Sequence, residues 1–418
     1  MKQIYLDNAA STPVDPRVEA AMWPYFWSAY GNPSALHRPG QKASRAVFES
    51  RRTIAGAIGA HYEEIVFTGS ATEANNLAIR GLWEGIRRVK KFTKPRLITF
   101  SIEHESVLRS CEVLADEGVE VVYIKPERNG TFDLKRFAKS LNGQTFLVSV
   151  MHANNETGVI QPIAEIAKII QEFRSVRSSM LDVGKGEQQA KRSNKPSDPT
   201  FQTIPATFPY FHTDAVQSFQ YLDCDVKKLG VDLMTLSAHK IYGPKGVGAL
   251  YVGSSLKENI QPVICGAGQE GGLRSGTENV PAIVGFAKAT ELAISVRDKE
   301  SERVSGLREC LWKKLIAGTR PKEIFLNGSS ENRLPNNLNI YFLGSNAHEL
   351  LIKLDLAGIA VSPGAACSAR VSKESYVLRE MGFSAARASG SLRFSLGRQT
   401  TKQEINHAIS VIIKILGQ

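Results

Sequence analysis

Short apolar strands alternate with helical stretches through the middle of the chain, and this alternation narrows the possible folds more than any other feature. Arg96–Phe100, Glu120–Ile124 and Phe146–Met151 read as strands, and the stretches 104–117 and 162–174 carry apolar residues at helical spacing. Parallel strands cannot be joined by a tight turn, so a crossover helix must connect them, and the series predicts an α/β fold on a largely parallel sheet. Residues 231–237 and Ala249–Val252 continue the strands, separated by a glycine-rich turn. Ahead of the alternation, helical patterns cover Arg17 to about Trp27 and Gln41 to Gly59.

At 418 residues the chain has room for two domains, and 42% hydrophobic with 22% charged residues is ordinary for a folded soluble protein. The N-terminus enters a strand-like run directly, with no signal-peptide pattern, and no apolar run is long enough to span a bilayer. The expectation is therefore a protein of the cytoplasm, or the processed form of an organelle-matrix protein, without a membrane partner. Five cysteines, odd in number and widely spaced, argue against a disulfide framework or a cysteine zinc site, so a reducing compartment and no metal are expected. The net charge of +11 is spread along the chain rather than interleaved with aromatics. It fits anionic small molecules or an acidic protein as well as nucleic acid, and no direct nucleic-acid partner is expected.

Polar residues gather where the strands end, which is where ligands sit in α/β sheets. Lys240 follows the strand 231–237, and a lysine held in an apolar site there can form a Schiff base with an aldehyde cofactor. Tyr210-Phe-His-Thr-Asp214 ends in a carboxylate, with Gln217 three residues on; Glu103-His104-Glu-Ser106 and His152-Ala-Asn-Asn155 follow two other strands. Such residues also serve ordinary turn chemistry. Glu64-Ile-Val-Phe-Thr-Gly-Ser-Ala-Thr72 reads as strand, glycine turn and helix start, a cradle for phosphate; Ser70-Ala-Thr-Glu73 is equally a capping box that needs no ligand. The loop 266–281 carries Arg274, Ser275 and Thr277 into a helix starting at Pro281, a second candidate anion site.

Beyond about residue 297 the texture changes. A charged helix is expected over Asp298–Leu315, strands at Asn337–Phe342 and Ile359–Ser362, and an alternating strand at Ser391–Gly397 that sets Arg393 opposite Leu392, Phe394 and Leu396. An amphipathic helix carrying Ile405, Ala408, Ile409 and Ile412 closes the chain. Cys367 stands in the small-residue loop Gly364-Ala-Ala-Cys-Ser-Ala369, with Arg370 and Lys373 nearby to favour a thiolate; the alternative is a small buried hydrophobe, the expected fate of Cys111, Cys224 and Cys310. Residues 175–209, polar, rich in Ser and Pro and net basic, are expected to form an irregular, partly disordered surface insertion.

A lysine, a strand-end aspartate and a phosphate cradle are the set that pyridoxal phosphate needs. Seven ordered motifs then match one family: Tyr5-Leu-Asp-Asn-Ala-Ala10, Thr68-Gly-Ser-Ala-Thr-Glu-Ala-Asn-Asn-Leu77, Asn154-Asn-Glu-Thr-Gly158, His212-Thr-Asp-Ala-Val-Gln217, Ser237-Ala-His-Lys-Ile-Tyr-Gly-Pro-Lys-Gly246, Arg274-Ser-Gly-Thr-Glu-Asn279 and Leu392-Arg-Phe-Ser-Leu-Gly-Arg398. Together they resemble the pyridoxal-phosphate-dependent cysteine desulfurases of the NifS/IscS type, within the class-V aminotransferases, over the whole chain apart from 175–209.

The resemblance implies fold type I: a large domain, 16–296, on a mainly parallel seven-stranded sheet, and a smaller α+β domain from 1–15 and 297–418 bearing the Cys loop. Lys240 would carry the cofactor and move protons at the substrate α-carbon, Asp214 would pair with the pyridine nitrogen, Gln217 with the ring hydroxyl, and His104 would stack on the ring and assist proton transfer. Ala71, Thr72, Ser237 and His239 would bind the phosphate, and in a homodimer Thr277 would reach the other subunit's cofactor. Arg393 and Asn155 would grip the carboxylate of L-cysteine. Cys367 would take the sulfur as a persulfide and pass it to an acceptor protein, for iron–sulfur cluster assembly or tRNA thiolation. The rivals are a selenocysteine lyase, an aminotransferase or lyase that uses no thiol, and a non-catalytic scaffold. The turn Ala9-Ala-Ser-Thr12, the residues Pro363-Gly-Ala-Ala366 before the cysteine and the insertion depart from the family's usual pattern.

Overall fold

The computed structural model describes residues 3–89, 92–190, 208–319, 323–364 and 374–417. Cys367 and its loop, and residues 191–207, lie outside them. In chain order the strands are β1 (Ile4–Tyr5), β2 (Ile65–Thr68), β3 (Arg96–Phe100), β4 (Glu120–Ile124), β5 (Thr145–Ser149), β6 (Tyr210–Asp214), β7 (Leu233–Ser237), β8 (Gly248–Val252), β9 (Ile324–Leu326), β10 (Asn337–Phe342), β11 (Ile359–Ala360) and β12 (Ser391–Ser395). Seven of them form one sheet in the order β2-β8-β7-β6-β5-β3-β4, in which only β8 runs against its neighbours. The expected α/β architecture on a mainly parallel seven-stranded sheet is thus present.

Side-chain alternation explains why this sheet is buried on both faces. Phe67, Ile98, Val148, Met234 and Ala249 join one apolar cluster; their strand neighbours Val66, Leu97, Leu147, Leu233 and Leu250 join another on the opposite face. The first face is covered by the helices Arg38–Ala57, through Val47 and Ile54, and Val280–Gly318, through Ile283 and Phe286. The second is covered by Leu77, Ile86, Val107 and Leu114. A third cluster packs β10 and β12 against the C-terminal helix Lys402–Leu416 through Ile340, Phe394 and Ile409. β9, β10 and β12 make a separate antiparallel sheet, and β1 pairs in parallel with β11.

Two segments differ from the sequence expectation. The helix expected to end at 174 runs from Ile163 to Ala190, so the first half of the supposed irregular insertion is helical. The serines near 175 weaken helix propensity without blocking it, and no proline follows until Pro196. The two helices expected from Pro281 and over Asp298–Leu315 are one helix of 39 residues, Val280–Gly318, capped by Asn279 accepting from the Ala282 N–H. It places Phe286 in the first cluster and Leu311 in the third, bridging two cores.

The first residue of β8 touches the turn after β2 so closely that only glycine fits. A Cβ on Gly248 would lie 2.7 Å from the Ser70 carbonyl carbon, 2.8 Å from the Ala71 nitrogen and 2.9 Å from the Leu236 carbonyl oxygen, all backbone atoms. Gly248→Ala should therefore cost about 1–3 kcal/mol by overpacking, seen as a lowered midpoint in chemical denaturation with an unchanged slope. An unchanged midpoint would mean that the Ser70 turn is free to move.

Candidate active site

The carboxyl ends of the strands converge on a cavity of about 200 Å³. β6 delivers Asp214, the segment after β3 delivers His104, that after β5 delivers Asn155, and a one-turn 3-10 helix after β7, Ala238–Lys240, delivers Lys240. The extended N-terminal segment forms part of the cavity lining through Ala9 and Ala10. It is held there by side chains: Thr12 Oγ1 donates to the His239 carbonyl (3.0 Å), the Tyr242 N–H to Thr12 Oγ1 (2.8 Å), and Gln217 Nε2 to the Ala9 carbonyl (3.0 Å). Lys240 Nζ donates to the carbonyls of Ala9 and Ala10, both at 2.7 Å.

Asp214 accepts from the Val216 N–H at Oδ1 (3.0 Å) and from Asn75 Nδ2 at Oδ2 (2.9 Å). His104 Nδ1 accepts from the Ser106 N–H (3.2 Å) and lies 2.8 Å from Ser106 Oγ. Burial pulls the His104 imidazole below its usual range, the Asp214 carboxylate opposes this and the Lys240 ammonium adds to it, so the ring is neutral near pH 7. Burial likewise brings His239 down to about 4, helped by Lys240 and Lys245. Behind His104, burial holds the Glu103 carboxyl well above the carboxylate range against the opposing Met151 N–H.

The turn after β2 bears on both of its sequence readings. Ser70 Oγ caps the helix by accepting from the Glu73 N–H (3.1 Å), while Glu73 Oε2 accepts from the Gly69 N–H (2.8 Å) and Glu73 Oε1 from Arg274 Nε (2.9 Å). Only the Ser70 half of the expected capping box is formed, because Glu73 reaches the Gly69 N–H instead of that of the N-cap Ser70; Ala71 and Thr72, at the first turn of the helix, line the cavity beside it. Their N–H groups have no intrahelical acceptor, which suits an anion.

Arg393, 1% exposed, has a partner that the sequence did not announce. Its Nη2 donates to Asp7 Oδ1 (2.7 Å) and its Nη1 to the Asn155 carbonyl (2.8 Å). Arg393 Nε and Asn155 Oδ1 are buried without a hydrogen-bond partner among the described residues, a donor and an acceptor left for a polar guest. Of the residues expected at the site, the cavity gathers Ala71, Thr72, His104, Asn155, Asp214, Gln217, His239, Lys240 and Arg393. Ser237 is buried at the end of β7 and does not line it; Thr277 lies exposed on the loop before the helix Val280–Gly318, outside the lining; Cys367 falls outside the described residues. Sequence reasoning missed Asn75, Ser106 and Asp7. Each stands inside or beside a quoted motif, but only the folded chain shows what it touches.

The model of the aminotransferase class-V family matches residues 4–178 and 204–407. The chain belongs to the class-V aminotransferase family. The break in the match, 179–203, falls on the insertion anticipated from the sequence. The chain is 40% identical to the cysteine desulfurase IscS of Dictyoglomus turgidum over 415 residues, covering 99% of this chain and 95% of that protein. It is 43% identical to that of Anaeromyxobacter sp. strain K over 410 residues, covering 97% and 90%. Among solved structures it resembles a NifS-like protein (TM-score 0.83, 32% identity, 99% of each chain) and SspA in complex with cysteine (TM-score 0.73, 35% identity, 94% of this chain and 98% of that one).

Two further histidines of this class-V aminotransferase lie under the site and set its acid stability. Burial lowers His212, two residues before Asp214, to about 3 and His152 to about 4. His212 sits between Ser149 Oγ (2.8 Å) and Thr235 Oγ1 (3.0 Å). Both titrate near 6.5 when unfolded, so the unfolded chain takes up protons first and stability is lost as pH falls from about 6.5 through about 4. Each should cost about 2 kcal/mol between pH 7 and pH 5, measured by denaturant titration, and His212→Asn should flatten that slope. An equal slope in the variant would refute the assignment.

Proposed function

We propose that this chain is a pyridoxal-phosphate-dependent cysteine desulfurase that converts L-cysteine to L-alanine and hands the sulfur on as a persulfide. The observation that carries the reading is one cavity holding Lys240, a strand-end carboxylate at Asp214 and the first-turn backbone of Ala71 and Thr72, in a chain of the class-V aminotransferase family. These donors fit the cofactor: a primary amine for its aldehyde, a carboxylate for its ring nitrogen, and free backbone donors for its phosphate. Gln217 has an acceptor oxygen for the ring hydroxyl, since its Nε2 is committed to Ala9. Ser237 and His239 belong to the phosphate set by position in the family motif, and Thr277 of the partner subunit completes it in a homodimer.

When bound, pyridoxal phosphate supplies an electron sink for the α-carbon of the amino acid. The chain's own residues do the rest. Arg393 and Asn155 bind the substrate carboxylate, Arg393 exchanging part of its hold on Asp7 for the guest. Lys240 moves the proton at the α-carbon, and His104, neutral and beside the site, takes or returns a proton at its imidazole. Cys367 attacks the substrate sulfur as a thiolate, so that an S–S bond forms as the substrate's Cβ–S bond breaks and its electron pair stays on that carbon, which takes a proton to give alanine; the persulfide then delivers its outer sulfur to a protein acceptor for iron–sulfur cluster assembly or tRNA thiolation. Residues 16–296 form the cofactor domain; 1–15 and 297–418 form the small domain, with the helix Val280–Gly318 crossing between them. The compartment is the cytoplasm or an organelle matrix, in keeping with the absence, among the described residues, of any helix able to cross a membrane.

The test is release of alanine and sulfide from L-cysteine with a thiol reductant, with the absorbance spectrum recorded first. The purified protein should carry the cofactor band and release both products in equal amounts. Lys240→Ala should lose the covalent cofactor signature, Cys367→Ala should keep the band and release neither product, and His104→Gln should lower kcat by about 10²–10⁴-fold. Turnover by Cys367→Ala would exclude the persulfide route, and a protein that pyridoxal phosphate cannot colour would exclude the enzyme.

A further inference from the structure

Asn75 is fully buried, one turn into the helix that opens at the Ser70 cap, and it touches both the aspartate and the histidine side of the cavity. Its single amide nitrogen gives one N–H to Asp214 Oδ2 at 2.9 Å and the other to Ser106 Oγ at 2.8 Å. Its Oδ1 finds no hydrogen-bond partner among the described residues. An isolated amide in a core is costly, and one with an orphaned acceptor more so, so packing alone does not account for it.

The directions of these bonds are set in sequence. A carboxylate oxygen accepts only, so the Asn75 nitrogen faces Asp214, and its second hydrogen then faces Ser106 Oγ. Ser106 Oγ, having accepted, directs its own hydrogen to the remaining neighbour, His104 Nδ1, 2.8 Å away. Nδ1 also accepts from the Ser106 N–H at 3.2 Å. Two donors on one nitrogen leave no place for a proton there.

We propose that Asn75 is a positioning residue that, through Ser106, holds His104 in the neutral tautomer with its proton on Nε2. The arrangement ties the orientation of the Asp214 carboxylate to the protonation of His104, so that the pair is set before substrate arrives. Its value to catalysis rests on the function proposed above; the hydrogen-bond relay itself does not. The charged groups acting on His104 are Asp214 at the end of β6, Lys240 in the turn after β7 and Glu105 on its own helix. All three are retained in the variants that test the relay. Burial already disfavours the imidazolium, and the relay acts in the same direction, because a hydrogen bond made to the neutral form disfavours the charged one.

The experiment is nitrogen NMR of the full chain labelled at histidine, with and without added pyridoxal phosphate. Of its eight histidines, His104 is identified by the signal lost in His104→Gln. The parent should show an unprotonated Nδ1 and a protonated Nε2 down to the pH at which the ring charges. Asn75→Leu, close in size but without donors, frees the Ser106 hydroxyl to accept from Nδ1, and the His104 titration should move up by about one pH unit. Ser106→Ala should move it in the same direction, and the double variant no further than the larger single effect, because one variant acts through the other. In the loaded enzyme the acid limb of kcat should move with it while KM for L-cysteine stays within about threefold. If Asn75→Leu does not fold, Ser106→Ala, the loss of one oxygen, decides the matter alone. A His104 tautomer and titration unchanged in Ser106→Ala, or additive shifts in the double variant, would overturn the relay. A protein that leaves L-cysteine untouched while showing the expected shifts would instead overturn the function and leave the relay standing.

Discussion

The ion pair between buried Arg393 and partly buried Asp7 is the constraint on which the rest of the site depends. A guanidinium that is 1% exposed persists only where an anion and further acceptors meet it, and Asp7 and the Asn155 carbonyl supply them. That requirement joins three remote pieces of chain: the segment after β1, the turn after β5 and the strand β12. The Asn8 N–H adds a bond to the Ser395 carbonyl at 3.1 Å, and the Ala9 N–H one to Ser395 Oγ at 2.8 Å. With the segment from Asp7 to Thr12 fixed in this way, the carbonyls of Ala9 and Ala10 stand where the amine of Lys240 meets them.

The electrostatics of the site follow from the same enclosure. Two histidines that burial pulls below their usual range, His104 and His239, line the cavity, and the ionic groups that remain, Asp214, Lys240 and Arg393, are each engaged by backbone or amide partners. Neutral imidazoles beside fixed charges suit proton transfer, since the ring can accept or give a proton without first discarding one to solvent. The phosphate-type turn is coupled to its surroundings in turn. Glu73 accepts from the Gly69 N–H and from Arg274, so the loop that carries Thr277 is tied to the turn that carries Thr72.

Much of this architecture was legible in the sequence. The strands β3, β4, β6 and β10 and the helical stretch after His104 follow from local apolar periodicity, which needs no knowledge of what packs where. The helix Ile163–Ala190 extends beyond its sequence pattern because a cluster of serines reads as a loop, although a helix continues through such residues when nothing stops it. The helix Val280–Gly318 reads as two in the sequence because its first half is apolar and its second charged. The structure shows why: the first half is buried on the large sheet, while the second presents only Val304, Arg308, Leu311 and Leu315 to buried surroundings.

By itself the sequence determined the α/β class and most of the strands along the chain, which are properties of local pattern, and it offered Lys240, Asp214, His104 and Arg393 as site candidates through residue chemistry and the family resemblance. The tertiary structure alone decided the strand order across the sheet, the pairing of Arg393 with Asp7 and the bridge from Asp214 through Asn75 and Ser106 to His104. Apart from the last step, from Ser106 to His104 two positions away, these side-chain bonds join residues from 31 to 386 positions apart, and no local periodicity encodes which remote side chain will arrive opposite a given one.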